Sequence, residues 1–128
     1  MAPDIPVDDL VQAGIAHGIA LFNAGDFFEA HDAFEEQLEG AESDERWELL
    51  LGLIRVAVAY HKLASGHAGS ARMLELGLET LAPFPEATRG IAVERLRARV
   101  REDLATLQAG RDAADRLAAD PPQIEPAA

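Results

Sequence analysis

Histidine and carboxylate side chains concentrate in one short stretch, Phe27-Phe28-Glu29-Ala30-His31-Asp32-Ala33-Phe34-Glu35. His31 and Glu35 are four residues apart, so on a helix they lie on the same side, about 6 Å apart along the axis. His61 and Arg55 follow on the next predicted helix, at or beside its apolar face. If the two helices pack antiparallel, His31 or Glu35 meets Arg55 or His61. Burying such groups costs free energy unless they are paired or ligate a metal, so we expect polar partners.

Three interpretations of this cluster stay open. His31, Glu35 and His61, with Glu29 or Asp32 as a further ligand, could hold a divalent metal, because imidazole and carboxylate suit zinc, manganese or iron. His31 and Glu35 could instead form an acid/base pair in which the carboxylate fixes the imidazole tautomer. The third interpretation is a structural hydrogen-bond network between two helices. It is favoured, and no cofactor is required, because the sequence has no HExxH, phosphate loop or nucleophile elbow.

Apolar residues recur at helical spacing in five segments, and no segment shows the sustained alternation of a strand. The predicted helices cover about 8–24, 26–39, 44–65, 68–82 and 92–109. The third is apolar on two sides, which is typical of a helix that is buried on both, so it should be the central element. The sequence therefore predicts an all-α, compact bundle of about five helices.

The first two predicted helices are separated by about two residues, Gly25 and Asp26, which predicts an antiparallel hairpin. Asp26 with Glu29 three residues later is a capping-box-like signal for the start of the second helix. Residues 1–110 should form a single helical domain. Residues 111–128, which end in Asp120-Pro-Pro-Gln-Ile-Glu-Pro-Ala-Ala, are expected to be a short and partly disordered tail.

The composition is strongly acidic, with 23 Asp and Glu against 11 Lys and Arg and a net charge of −12. This negative charge would repel the phosphate groups of a nucleic acid at long range, which argues against nucleic acid as a partner. No stretch approaches the roughly 18 apolar residues that span a bilayer, and no signal peptide is recognisable, so we expect a cytoplasmic protein without membrane association. Cysteine is absent, which excludes disulfides and thiolate sites.

The basic residues are almost all arginine, and Lys62 is the single lysine. An acidic, lysine-poor chain is typical of a halophile, in which salt screens the self-repulsion, although a GC-rich genome produces the same bias. The halophile hypothesis predicts that the melting temperature rises steeply in molar salt.

Charge is also unevenly distributed along the chain. Residues 26–48 carry ten acids and one arginine, Arg46, while four arginines cluster on the fifth predicted helix: Arg95, Arg97, Arg99 and Arg101. Solvated faces that are partly paired across the bundle explain this pattern most simply. The alternative is an acidic-to-basic contact between subunits of a homo-oligomer.

Several segments resemble the domain-of-unknown-function 309 family. Its Phe-Asn-x-Gly-x-[Tyr/Phe]-[Tyr/Phe]-Glu-Ala-His-Glu pattern is similar to residues 22–32, and its Gly-Leu-Ile segment to Gly52-Leu53-Ile54. The family's Gly-Asn-x-x-Gly-Ala turn is similar to residues 66–71, and its final Leu-Ala-Pro segment is similar to residues 81–83. The resemblance spans about 10–100. It implies a compact all-helical domain and brings no established activity.

Some positions depart from the family pattern. Asp32 stands where Glu is usual, His67 replaces Asn, and Leu51 and Arg55 occupy positions that are often Gln. A family site that used those polar groups would be altered here. The residues that remain as candidate metal ligands are Glu29, His31, Glu35 and His61.

Together these observations favour a small non-catalytic binding or protein-interaction module that associates with itself or with a protein partner. Its His/Glu network would lie in the core and be structural. The alternative is a protein that binds a metal or a small ligand, or an enzyme, through His31, Glu35 and His61.

Overall fold

The computed structural model describes residues 7–41, 44–110 and 113–127, which form seven α-helices and no strand. The helices are α1 (Val7–Asn23), α2 (Phe27–Glu35), α3 (Leu38–Ala41), α4 (Glu45–Ser65), α5 (Ser70–Leu81), α6 (Val93–Ala109) and α7 (Ala113–Ala119). The predicted all-α class is confirmed. The number of helices exceeds the expected five because the second predicted helix is split into α2 and α3, and because a short helix, α7, follows α6.

The turn between α1 and α2 falls where the sequence predicts it. Gly25 has a φ of 85°, a left-handed conformation that glycine adopts without steric cost. Asp26 is the N-cap of α2, but its side chain accepts no capping hydrogen bond. The capping-box-like signal of Asp26 and Glu29 therefore predicted the helix start correctly and the hydrogen bond wrongly.

Helices α1 and α2 pack with opposite directions. The Phe22 and Phe27 rings meet next to the turn, with centroids 5.0 Å apart and an edge-to-face angle of 72°. Further from the turn, a Cβ added to Gly18 would lie 2.4 Å from the ring of Phe34. Rising residue numbers in α1 thus meet falling ones in α2, as in an antiparallel hairpin. Gly18 lets the Phe34 ring pack directly on the α1 backbone.

The α2 helix ends earlier than its apolar pattern predicts. Phe27, Ala30 and Phe34 are buried as expected. After Glu35 a turn interrupts the helix, and Leu38 packs against the core from the separate α3. The apolar face is continuous across the break, which is why spacing alone did not reveal it.

Helix α4 packs against α2, α3, α5 and α7. Its N-cap is Asp44, whose side chain accepts a 2.8 Å hydrogen bond from the Arg46 backbone N–H. From the sequence, in which Ser43 precedes Asp44 and Glu45, we predict Ser43 as the cap of this helix, and Ser43 lies outside the described residues. The buried side chains of α4 cover one broad side of the helix: Leu49, Leu50, Leu53, Val56, Ala57, Ala59, Tyr60 and Leu63. One of the two predicted apolar faces is therefore buried, while apolar residues of the other, such as Leu51, Ile54 and Val58, are only partly buried.

Two glycines bring α4 and α5 close together. A Cβ at Gly52 would lie 2.5 Å from Leu81 Cδ2, and one at Gly77 would lie 2.9 Å from Val56 Cγ2. Both positions leave no room for a methyl group without displacement of a packed side chain. The interface between α4 and α5 is therefore built on close backbone approach.

The described part of the predicted tail, residues 113–127, is packed on the domain. Ile124 is buried, and Asn23 fixes its backbone, since Asn23 Nδ2 donates to the Ile124 carbonyl at 2.9 Å and Asn23 Oδ1 accepts from the Ile124 N–H at 2.7 Å. Ala92 N–H donates to the carbonyl of Glu125 at 2.9 Å. Buried apolar side chains, among them Leu117 and Ile124, together with paired backbone groups thus dock a segment whose composition indicates disorder.

Membrane insertion finds no support in the helices. None in the described ranges is long and apolar enough to cross a bilayer.

Candidate functional site

His31 lies at the edge of the buried face of α2. The burial of Phe27, Ala30 and Phe34 sets the rotation of the helix and leaves the His31 side chain 23% exposed. Its Nε2 lies 2.9 Å from Glu35 Oε2, and its Nδ1 lies 3.3 Å from Asp32 Oδ1. The imidazole therefore has a carboxylate of its own helix at each ring nitrogen.

The contact between His31 and Glu35 forms as their spacing predicts, but it does not lie in the core. The side chains of Glu35 and Asp32 are 59% and 53% exposed. A surface ion pair of this kind contributes about 0–1 kcal/mol to stability. The expected structural His/Glu network in the core is thus replaced by a pair at the surface.

One group in the described ranges has the composition and spacing of a metal site. His31, Asp32 and Glu35 each offer one ligand atom, and these atoms lie within 4.8 Å of one another. The other two predicted ligands are not part of this group. Glu29 is exposed on α2, and His61 belongs to α4.

His61 is joined to His31 through an aromatic ring. The Phe28 centroid lies 5.7 Å from that of His31 and 5.4 Å from that of His61. Phe28 is 51% exposed, although it is a large apolar side chain. The three rings line an open cavity of about 430 Å³ between α2 and α4. We call it the Phe28 groove, and its lining residues are Phe28, His31, Val58, His61, Lys62 and His67.

The end of α4 positions the second wall of the Phe28 groove. Gly66 adopts a φ of 70° after the last helical residue, the His67 N–H donates to the Lys62 carbonyl at 2.9 Å, and the Gly66 N–H donates to the Leu63 carbonyl at 3.4 Å. These are the two hydrogen bonds of a Schellman motif. The motif brings the imidazole of His67 beside the last turn of α4, which carries His61 and Lys62.

Arg55, which the sequence placed beside the apolar face of α4, turns toward α5. Its guanidinium donates to Thr80 Oγ1, which in turn donates to the Leu76 carbonyl at 2.7 Å. The expected contact of His31 or Glu35 with Arg55 is therefore not formed.

A buried polar network that the sequence did not reveal joins α4 to α6. The Tyr60 hydroxyl donates to Asp103 Oδ2 at 2.5 Å, and Arg99 Nε donates to Asp103 Oδ1 at 3.0 Å. Tyr60 and Asp103 are almost fully buried. Burial and the Asp103 carboxylate raise the pKa of Tyr60, because both disfavour the phenolate. The available signal was Asp103 itself, a carboxylate that follows Val100 by three residues and so lies on the apolar side of the helix.

The four arginines of α6 all have partners within the chain. Arg97 is buried and donates to the carbonyls of Leu81 at 2.7 Å and Phe84 at 2.6 Å, so it satisfies acceptors at and beyond the end of α5. The others pair with carboxylates: Arg95 with Glu125, Arg99 with Asp103 and Arg101 with Glu94. Two of these three pairs lie within α6 and the third reaches the C-terminal segment, so pairing with the acidic residues 26–48 across the bundle stays a prediction.

Comparison with known proteins confirms the resemblance that the motifs indicated. Residues 15–74 match the family described as Domain of unknown function (DUF309). An uncharacterized protein of Aquifex aeolicus (strain VF5) is 34% identical over 90 residues, which are 70% of this chain and 27% of that protein. The chain thus spans about a quarter of the length of this relative. The matched range contains all six lining residues of the Phe28 groove.

Proposed function

We propose that this chain, whose residues 15–74 are a DUF309 domain, is a binding module and that the Phe28 groove is its binding site. The observation that carries the proposal is the exposure of Phe28 between two imidazole rings. Leu10 is the other large apolar side chain that stands half exposed among the described residues.

The size and chemistry of the groove support binding. Its volume of about 430 Å³ falls within the roughly 300–1,000 Å³ that is typical of small-ligand sites. Phe28 and Val58 offer apolar surface whose removal from water would favour association, and His61 and His67 offer polar atoms that orient a ligand. Apolar surface with a few converging polar groups is the usual composition of such a site.

The proposal is tested by titrating ¹⁵N-labelled full-length protein with benzyl alcohol, a small neutral aromatic probe, and mapping the chemical-shift changes. We expect the largest changes at residues of the Phe28 groove. Phe28→Ala should weaken binding by about fivefold or more, whereas Leu10→Ala, which removes the other exposed apolar side chain, should leave it unchanged. Changes that map elsewhere, or equal behaviour of the two variants, would contradict the proposal.

Self-association through the same groove is a further use that the experiment can separate. If the groove joins two copies, the sedimentation coefficient of the unmodified protein should exceed that of Phe28→Ala at the same concentration. Equal values would restrict the groove to other ligands.

A second candidate function, binding of a divalent metal, is favoured by the group of His31, Asp32 and Glu35. Glu35 Oε2 and His31 Nε2 would be ligands on one side of α2, while Asp32 at Nδ1 would hold the imidazole in the required tautomer. Imidazole with carboxylate suits zinc, manganese or iron. His31 Nε2 and Glu35 Oε2 lie 2.9 Å apart, so small side-chain rotations would place both atoms around one ion.

Metal binding is tested on protein purified without a histidine tag, by calorimetric titration with Zn²⁺ and Mn²⁺. His31→Ala should abolish binding, and His17→Ala, which removes an exposed histidine on α1, should not. His61→Ala shows whether the groove wall supplies a further ligand. Absence of binding, or equal loss in the His17 and His31 variants, would exclude this function.

A further inference from the structure

The Phe28 groove differs in charge from four other cavities in the part of the chain that the structure describes. Its lining contains three histidines and one lysine and no carboxylate. Each of four other cavities has at least one glutamate in its lining, for example Glu86, Glu45, Glu125 and Glu79. In a protein with a net charge of −12, a groove whose titratable lining side chains are all basic is a local exception. The carboxylates of Asp32 and Glu35 do not line the groove, but they contact the ring of His31.

Lys62 strengthens this difference. It is the single lysine of the chain, and its ammonium group forms no hydrogen bond or ion pair with any described residue. The four arginines of α6, by contrast, each contact a carboxylate. The Lys62 side chain passes Gly69, where an added Cβ would lie 3.9 Å from Nζ. Its charge is therefore available to a ligand at the rim of the groove.

We infer that the Phe28 groove binds a small anionic molecule in which a carboxylate or phosphate is attached to an apolar, preferably aromatic, group. The Lys62 ammonium and the N–H groups of His61 and His67 would contact the anion, and Phe28 and Val58 would contact the apolar part. This inference rests on the proposed function, because it names the ligand chemistry of the same groove.

The overall charge of the protein makes the inference sharply testable. A net charge of −12 repels anions at long range, so non-specific attraction cannot produce a preference for an anionic ligand. A preference for anions must therefore arise from the lining of the groove. The same net charge favours cationic ligands at long range, which makes a cation the natural comparison.

The experiment compares four probes of similar size by chemical-shift titration of the full chain: phenyl phosphate, phenylacetate, benzyl alcohol and benzylamine. We expect both anions to bind in the groove at least about tenfold more tightly than benzylamine. The stronger of the two anions identifies the head group. Lys62→Met should weaken binding of the anions by about fivefold or more, and by more than it weakens binding of benzyl alcohol. Arg116→Met, which removes an exposed charge on α7, is the matched control.

The outcomes separate this inference from the proposed function. If benzyl alcohol binds in the groove and the anions show no advantage over benzylamine, the anion inference is overturned and the binding module stands. Equal effects of Lys62→Met and Arg116→Met would also overturn it. If no probe perturbs the groove, the proposed function fails as well.

Discussion

Removal of the Tyr60 hydroxyl tests whether the buried contact between α4 and α6 stabilises the fold. The hydroxyl donates to Asp103 Oδ2, and the carboxylate also accepts from Arg99 Nε at 3.0 Å. The Tyr60 ring packs beside those of Phe22 and Phe27, at centroid distances of 6.1 and 5.9 Å. Tyr60→Phe keeps this ring packing, so it isolates the hydrogen bond.

The expected magnitude follows from the partners that each variant leaves behind. A hydrogen bond to a charged acceptor contributes roughly 1.5–3 kcal/mol, and in Tyr60→Phe the Asp103 carboxylate keeps Arg99, so we expect a loss of about 2 kcal/mol. Asp103→Ala leaves a buried hydroxyl without an acceptor and removes the nearer carboxylate of Arg99, which keeps that of Asp120 at 3.6 Å. This should cost about 3–5 kcal/mol. The double variant should cost less than the sum, because the unpaired hydroxyl is then absent.

The assay is urea denaturation of the full chain followed by far-UV circular dichroism, with the free energy of unfolding taken at constant m value. Thr106→Val is the control, because it removes a hydroxyl whose 3.0 Å hydrogen bond to the Glu102 carbonyl is exposed, and it should change stability by less than about 0.5 kcal/mol. A loss below about 0.5 kcal/mol in Tyr60→Phe, or strict additivity in the double variant, would refute the reasoning.

Three further predictions follow from contacts elsewhere in the fold. Arg97→Met leaves carbonyls at the end of α5 without their donor and should lower the free energy of unfolding by about 2–3 kcal/mol, with faster amide exchange in the last turn of α5. Gly52→Ala places a methyl group 2.5 Å from Leu81 Cδ2 and should lower the free energy of unfolding in urea by about 1–3 kcal/mol. An unchanged free energy of unfolding would show that α4 and α5 separate easily. Hydrogen bonds from Arg46 lower the pKa of Asp44. At a pH above the ordinary pKa of an aspartate, the ionised carboxylate therefore stabilises the fold. This contribution is lost as the pH falls through the lowered pKa. The difference in urea midpoint between the unmodified protein and Asp44→Asn should therefore shrink from pH 7 to about pH 3, and a constant difference would contradict it.

The sequence predicts the long helices well because their signals are local. The fifth predicted helix, 92–109, is α6 at Val93–Ala109, and the fourth, 68–82, is α5 at Ser70–Leu81. Apolar spacing and a terminating Gly or Pro lie within each helix or next to it. The break after Glu35 has no such marker, since Leu38 continues the apolar spacing of α2.

Long-range polar partners could not be predicted in the same way. Asp103 is separated from Tyr60 by 43 residues, and Arg97 from the Leu81 carbonyl by 16. The sequence shows that each polar residue lies on or beside an apolar stripe, which indicates that it needs a partner. Which partner it finds depends on how the helices pack. The docking of Ile124 onto Asn23 was hidden for the same reason, because they are 101 residues apart.

The candidate site shows which features residue spacing predicts and which it does not. A separation of four residues brings His31 against Glu35 on any helix, but it does not determine whether the pair is buried. Burial depends on the rotation of α2, and the packing of Phe34 on Gly18 sets that rotation. With Phe34 directed inward, Phe28 lies about 120° further around the helix, in contact with His61 of α4 but half in water. The same packing that turns the His31 pair out of the core therefore creates the groove, so the core of α2 and its binding surface are two consequences of one helix orientation.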